Sequence, residues 1–127
     1  MIFFIILLTE VYYISYSIIM KITTSTGMLD SVVLAIVALE ADGTYGYKIT
    51  QDVRNIMDVS ESTLYPVLRR LQKDNCLDTY DVAIDGRNRR YYKITSNGMI
   101  VLDQFRHDWV LYKKSIDKVL FGVEDEK

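Results

Sequence analysis

The period of the apolar residues changes twice along this chain. From Gly27 to Asp74 they recur at helical spacing, from Leu77 to Ile94 they alternate loosely, and from Thr95 onward helical spacing returns. That order predicts helices, then one hairpin, then a helix: a mainly α (α+β) fold with a small β element. The stretch Gly27 to Ala41 is apolar nearly all round, through Leu29, Val32, Val33, Leu34, Ile36, Val37 and Leu39. It predicts a helix packed on several sides and stopped by the turn Asp42-Gly43. Thr44 is placed to cap a second helix, Tyr45 to about Arg54, with Tyr47, Ile49 and Val53 available for packing.

Ser60 is a suitable N-cap for a third helix running to Asp74. Its Leu64, Val67, Leu68 and Leu71 fall at i, i+3, i+4 and i+7, one apolar stripe. The opposite face carries Ser62, Pro66, Arg69 and Lys73, with Thr63 and Tyr65 on its shoulders. Pro66 lies in the early turns, where a missing backbone donor costs least, and Asn75 suits a left-handed stop. This helix docks by one side and offers hydroxyls, a phenol and cations with the other. Those are the groups that reach base edges and phosphates in a DNA major groove. A polar face is also the ordinary condition of a surface helix, so the rest of the chain must decide.

The hairpin adds to the case. Leu77 to Ile84 reads as a strand, Asp85-Gly86 as its turn, and Tyr91 to Ile94 as the returning strand. Between them GRNRR places Arg87, Arg89 and Arg90 with no acid among them, which reads as a basic tip. Such a tip suits a phosphate backbone, and it equally suits a solvated turn.

Composition limits the alternatives. The 127 residues are enough for one domain, and fifteen Lys and Arg against seventeen Asp and Glu give a net charge of −2. With a pI near 5.3, any role with nucleic acid must rest on where the charges sit. One cysteine, Cys76, excludes an intramolecular disulfide and fits a reducing compartment, so a cytoplasmic location is expected. Cys76 itself reads as a small buried hydrophobe. With His107 the single histidine, a zinc site or a Ser/His/Asp triad has almost nothing to draw on. No metal, no cofactor and no enzymatic activity are expected.

Residues 1–20, MIFFIILLTEVYYISYSIIM, differ in kind from the remainder. They are long enough for a marginal membrane span, but Glu10 lies mid-run and makes that unfavourable. No basic residue precedes the apolar part, which fits a cleaved signal poorly. Met20 opens a polar start, so 1–19 also read as a translated upstream extension, and an extra packing helix or strand stands as a further option. At the other end Thr95-Ser96 caps a last helix running to about Leu120. There Leu102, Phe105, Trp109, Tyr112, Ile116 and Val119 are spaced 3, 4, 3, 4, 3, the alternation of a seam. It suits packing on a partner chain or on the first helix.

Helices followed by a hairpin with basic residues is the order of a winged helix-turn-helix. Specific strings go further: TYGYKI (Thr44 to Ile49), STLYPVLRRL (Ser62 to Leu71), and GRNRRYYKIT (Gly86 to Thr95) followed by Gly98. With these, the chain from about Met28 to Leu120 resembles the PadR-like transcriptional regulators. Trp109 falls where that family often carries tryptophan. The single C-terminal helix is similar to the small subfamily that includes a multidrug-responsive repressor.

The resemblance implies a winged helix-turn-helix with a two-stranded wing, in residues 21–95, followed by a C-terminal dimerisation helix and acidic tail, 96–127. It implies a homodimer reading double-stranded DNA at a pseudopalindromic operator, and a repressor relieved by a flat aromatic effector. DNA contacts would come from Ser62, Thr63, Tyr65, Arg69 and Lys73, with Tyr47 at the phosphate backbone and Arg87, Arg89 and Arg90 as the wing. Phe105, Trp109, Tyr112 and Ile116 would form the dimer interface and any ligand box. Asn88 departs from the proline frequent in the family's wing. The alternative is a winged-helix protein-interaction module that binds no DNA.

Overall fold

The computed structural model describes residues 1–23 and 25–122, with side chains for 1–13 and 27–122. The acidic tail expected at the C-terminus begins at 123 and lies outside the described residues. Eight elements follow one another: α1 (Ile2–Thr23), α2 (Ser25–Ala38), β1 (Thr44–Tyr45), α3 (Gly46–Arg54), α4 (Glu61–Lys73), β2 (Leu77–Ile84), β3 (Arg87–Ile94) and α5 (Ser96–Phe121). The chain divides into two compact units, the first Leu29–Gln104 and the second Met1–Met28 with Phe105–Lys127.

The first unit holds the core. Val33, Leu34 and Val37 of α2, Ile49 and Val53 of α3, and Leu64 and Leu68 of α4 lose all contact with solvent, and Leu71, Leu77, Tyr92 and Leu102 join them. The predicted stripe on α4 is therefore the buried one. Ser60 caps α4 by accepting from the Thr63 backbone N–H, and Asn75 ends it at φ 60°. A charged contact ties α4 to α2: Arg70 donates to Asp30 through Nη2 and, at 3.4 Å, through Nε. Burial lifts the Asp30 carboxyl above its ordinary range, and the Arg70 hydrogen bond and charge pull the other way.

Three local expectations are corrected. Leu39 is 82% exposed: α2 stops at Ala38, and position 39 points away from the side bearing Val33 and Val37. Thr44 is no cap. It lies in β1 opposite Tyr92, with Tyr45 opposite Tyr91, so the sheet has three strands in the order β1-β3-β2 rather than two. The reason is that a β-branched and an aromatic residue gain more from cross-strand packing than from starting a helix. The arginines are not a loop tip either. Asp85 (φ 51°) and Gly86 (φ 76°) form a two-residue turn with both φ positive, pairing Ile84 directly with Arg87. Arg87, Arg89 and Arg90 thus ride on β3, which fixes their spacing.

Thr44 Oγ1 is buried and finds no hydrogen-bond partner among the described residues. A buried hydroxyl left unpaired costs roughly 1–3 kcal/mol. Thr44→Val keeps the β-branched shape and removes that cost, so the variant is expected to melt a few degrees higher. An unchanged or lower melting temperature shows that Oγ1 is satisfied.

In the second unit the first thirteen residues are exposed, among them Phe3, Phe4, Leu7, Leu8, Tyr12 and Tyr13 of α1. Among the described residues no helix is long and apolar enough to cross a membrane.

Candidate nucleic-acid interface

Helix α4 buries its apolar stripe, which leaves its other face to solvent. Ser62, Thr63, Tyr65, Arg69 and Lys73 are all exposed. The hydroxyls of Ser62 and Thr63 each lie 2.9 Å from Ser60 Oγ, a cluster at the helix start that retains lone pairs for an incoming donor. Neither Arg69 nor Lys73 forms an ion pair among the described residues, in contrast to their neighbour Arg70, which is committed to Asp30. One of two adjacent arginines is structural and the other is free, because Arg69 sits on the polar face and Arg70 at its edge. Sequence alone does not separate them.

The three wing arginines are all exposed but differ in surroundings. Arg87 stands beside the turn. Arg89 lays its guanidinium over the ring of Tyr45, 4.2 Å from the centroid. Arg90 faces Asp81 across the strands at 3.8 Å, with both side chains more than half exposed, so water screens the pair and leaves it weak. Tyr47, 56% exposed, accepts a hydrogen bond from Gln51 Nε2 at 3.0 Å.

Some of these groups meet around a cleft of about 470 Å³ lined by Tyr45, Gly46, Tyr47, Tyr65, Arg89 and Arg90, with Asn88 and Tyr92 completing its wall; Ser62, Thr63, Arg69, Lys73 and Arg87 lie outside it. Four of the residues expected to touch DNA therefore share one concavity: Tyr47, Tyr65, Arg89 and Arg90. Tyr45 and Tyr92 escaped sequence reasoning. Their place follows from β1, whose two residues are too few to show alternation. Burial raises the Tyr92 phenol above its ordinary pKa, with the charge and hydrogen bond of Arg90 opposing.

Cys76 is buried, and burial pushes its thiol up, with Asp74 and Asp30 adding to the shift. That is the environment of an inert packing cysteine.

In the other unit Phe105, Trp109 and Tyr112 form a ladder along α5. Phe105 and Trp109 are nearly parallel, with centroids 6.5 Å apart and 14° between planes, while Trp109 and Tyr112 are tilted at 5.9 Å. Trp109 remains 37% exposed in the single chain and Ile116 is similarly open, beside exposed Val110, Val119 and Leu120.

Residues 33–104 match the family model described as the transcriptional regulator PadR-like family. A protein of Lysinibacillus sphaericus known as uncharacterized protein X is 39% identical over 104 residues, spanning 77% of this chain and 93% of that one. Among solved structures, smu.1704 of Streptococcus mutans UA159 is similar at a TM-score of 0.72 and 36% identity, covering 81% of this chain and 95% of its own. A PadR family transcription regulator from hypervirulent Clostridium difficile R20291 follows at 0.67 and 29%, covering 74% and 99%.

Proposed function

The chain belongs to the PadR-like family of transcriptional regulators, and from that premise we propose that it is a dimeric, sequence-specific repressor of promoter DNA, its own promoter included, released by a flat aromatic effector. One observation carries the DNA reading: the solvent face of α4, whose Arg69 and Lys73 have no ion-pair partner among the described residues, lies in the same unit as a strand bearing three exposed arginines. Ser62, Thr63 and Tyr65 read base edges or phosphates, Arg69 and Lys73 neutralise phosphates, and Arg87, Arg89 and Arg90 track the backbone beside them. With two such modules in a dimer, the half-sites lie about one helical turn, roughly 34–36 Å, or a multiple of it, apart.

Support for the dimer comes from α5, where Trp109 of the aromatic ladder and the apolar Val110, Ile116, Val119 and Leu120 stay exposed in the single chain while Phe105 and Tyr112 are half-buried. A second copy packing there buries them, and a planar ligand stacked on Trp109 shifts the spacing of the two recognition helices. Footprinting on the DNA upstream of the gene tests the reading. It is expected to show two protected half-sites related by a twofold, and uniform or absent protection overturns it.

Trp109 is the single tryptophan, so its fluorescence reports both events. Trp109→Ala is expected to weaken dimerisation by about tenfold or more, as loss of a central aromatic does, or to abolish the effector response. Sedimentation and ligand titration of the variant decide this, and a variant that dimerises and responds normally rules out the pocket.

A further inference from the structure

Strand β1 ends at Tyr45, opposite Tyr91, and the chain turns at once into α3. The edge of β3 from Arg90 back to Asn88 therefore faces the cleft rather than another strand, and no acidic residue lines it. At one side of this notch four groups lean on one another in series. Tyr80 donates its hydroxyl to the Asp42 carbonyl. Its ring stacks on Tyr91 with centroids 5.5 Å apart, Tyr91 meets Tyr45 at 5.6 Å, and Tyr45 carries the Arg89 guanidinium on its face. A guanidinium resting on a ring keeps its edge N–H groups free, and those are the groups that bind a phosphate in a fork.

We propose that Tyr45 is a positioning residue that holds Arg89 at the mouth of the cleft, so that one phosphodiester of the operator backbone seats between Arg89, Arg90 and the phenols of Tyr47 and Tyr65. The inference rests on the DNA-binding reading and deepens it. The phosphodiester is favoured over free phosphate because Tyr65 belongs to the helix that reads the groove and Arg89 to the wing, so a backbone lying against both passes the cleft. The ring does what a freely rotating arginine cannot: it fixes the fork before DNA arrives, and less side-chain freedom is lost on binding. The role needs an aromatic face and not a hydroxyl, so phenylalanine should replace Tyr45 and leucine or alanine should not.

The test is duplex binding by the full chain at several salt concentrations, for wild type, Tyr45→Phe, Tyr45→Ala, Tyr45→Leu, Arg89→Ala and the Tyr45→Ala/Arg89→Ala pair, each checked for a wild-type fold by melting. Arg89→Ala is expected to lower the slope of log affinity against log salt by about one. Tyr45→Ala and Tyr45→Leu should weaken binding about two- to fivefold, Tyr45→Phe should bind as wild type, and Tyr45→Ala should add nothing once Arg89 is gone. Equal loss with and without Arg89, loss in Tyr45→Phe, or an unchanged slope in Arg89→Ala overturns the proposal. Arg89 is exposed on the wing, so its variant remains decisive if a Tyr45 variant fails to fold. Inorganic phosphate, titrated against the Gly46 and Arg89 amide resonances, separates the two sources of the anion. Saturable shifts with an unchanged duplex slope make this a free-anion site and overturn the DNA assignment. A wild type without salt-sensitive duplex affinity fails the parent reading instead, which is visible before any variant is made.

Discussion

Gly98→Ala is expected to cost at least about 3 kcal/mol and to lower the melting temperature by more than about 10 °C. Gly98 lies in the first turn of α5, where that turn meets the loop after α4. A β-carbon there falls 2.2 Å from the Cys76 carbonyl oxygen, 3.1 Å from its carbon and 2.7 Å from Ile94 Cγ1. Two of those atoms are backbone, held by a web of short bonds. Thr95 N donates to Cys76 O at 3.0 Å, Thr95 Oγ1 donates to Asn75 O at 2.7 Å, and Gly98 N donates to Thr95 Oγ1 at 2.9 Å. The loop cannot move aside without breaking the α5 cap and the left-handed stop of α4 together. A thermal melt followed by circular dichroism checks this, and a wild-type melt shows that α5 can step away from the loop at little cost.

Replacing Arg87, Arg89 and Arg90 together by alanine is expected to weaken duplex binding about a hundredfold near physiological salt, and to flatten the salt slope by roughly two to three. The three do not contribute alike. Arg90 already faces Asp81 at 3.8 Å, so removing it also frees an acid beside the DNA and removes a cation that was partly matched. Arg87 and Arg89 have no acidic partner among the described residues, and Arg89 is braced by Tyr45. Hence Arg90→Ala should lower the slope least among the single variants. All three side chains are exposed, and because Arg90 also bonds the buried Tyr92, a melt of the triple variant checks that the fold is retained. Unchanged binding in the triple variant removes β3 from the interface.

Much of this architecture was legible because it is written in period. The stripe Leu64, Val67, Leu68 and Leu71 defined both the buried and the free face of α4, and Ser60 and Asn75 marked its ends by their capping chemistry. The Asp85-Gly86 pair marked the hairpin, but the run of arginines beside it suggested a loop. Register, not composition, places them on β3: a two-residue turn leaves no room for a basic tip. Strand β1 was invisible because two residues carry no period, and with it went Tyr45, whose role depends on meeting Tyr91 and Arg89. The Asp30 to Arg70 contact joins residues forty positions apart, and nothing local announces it. Gly98 was noticed as part of a motif, whereas its physical reason, the approach of the Cys76 carbonyl, needed the fold.

On the proposed reading an acidic chain binds DNA through a locally basic face. The direct measurement is fluorescence anisotropy of a labelled duplex from upstream of the gene, titrated with protein at several salt concentrations in excess nonspecific competitor. Tight binding that survives competitor and falls steeply with salt is the predicted result. Absence of binding at low salt, with the protein folded, contradicts the account and leaves a winged module whose partners are proteins.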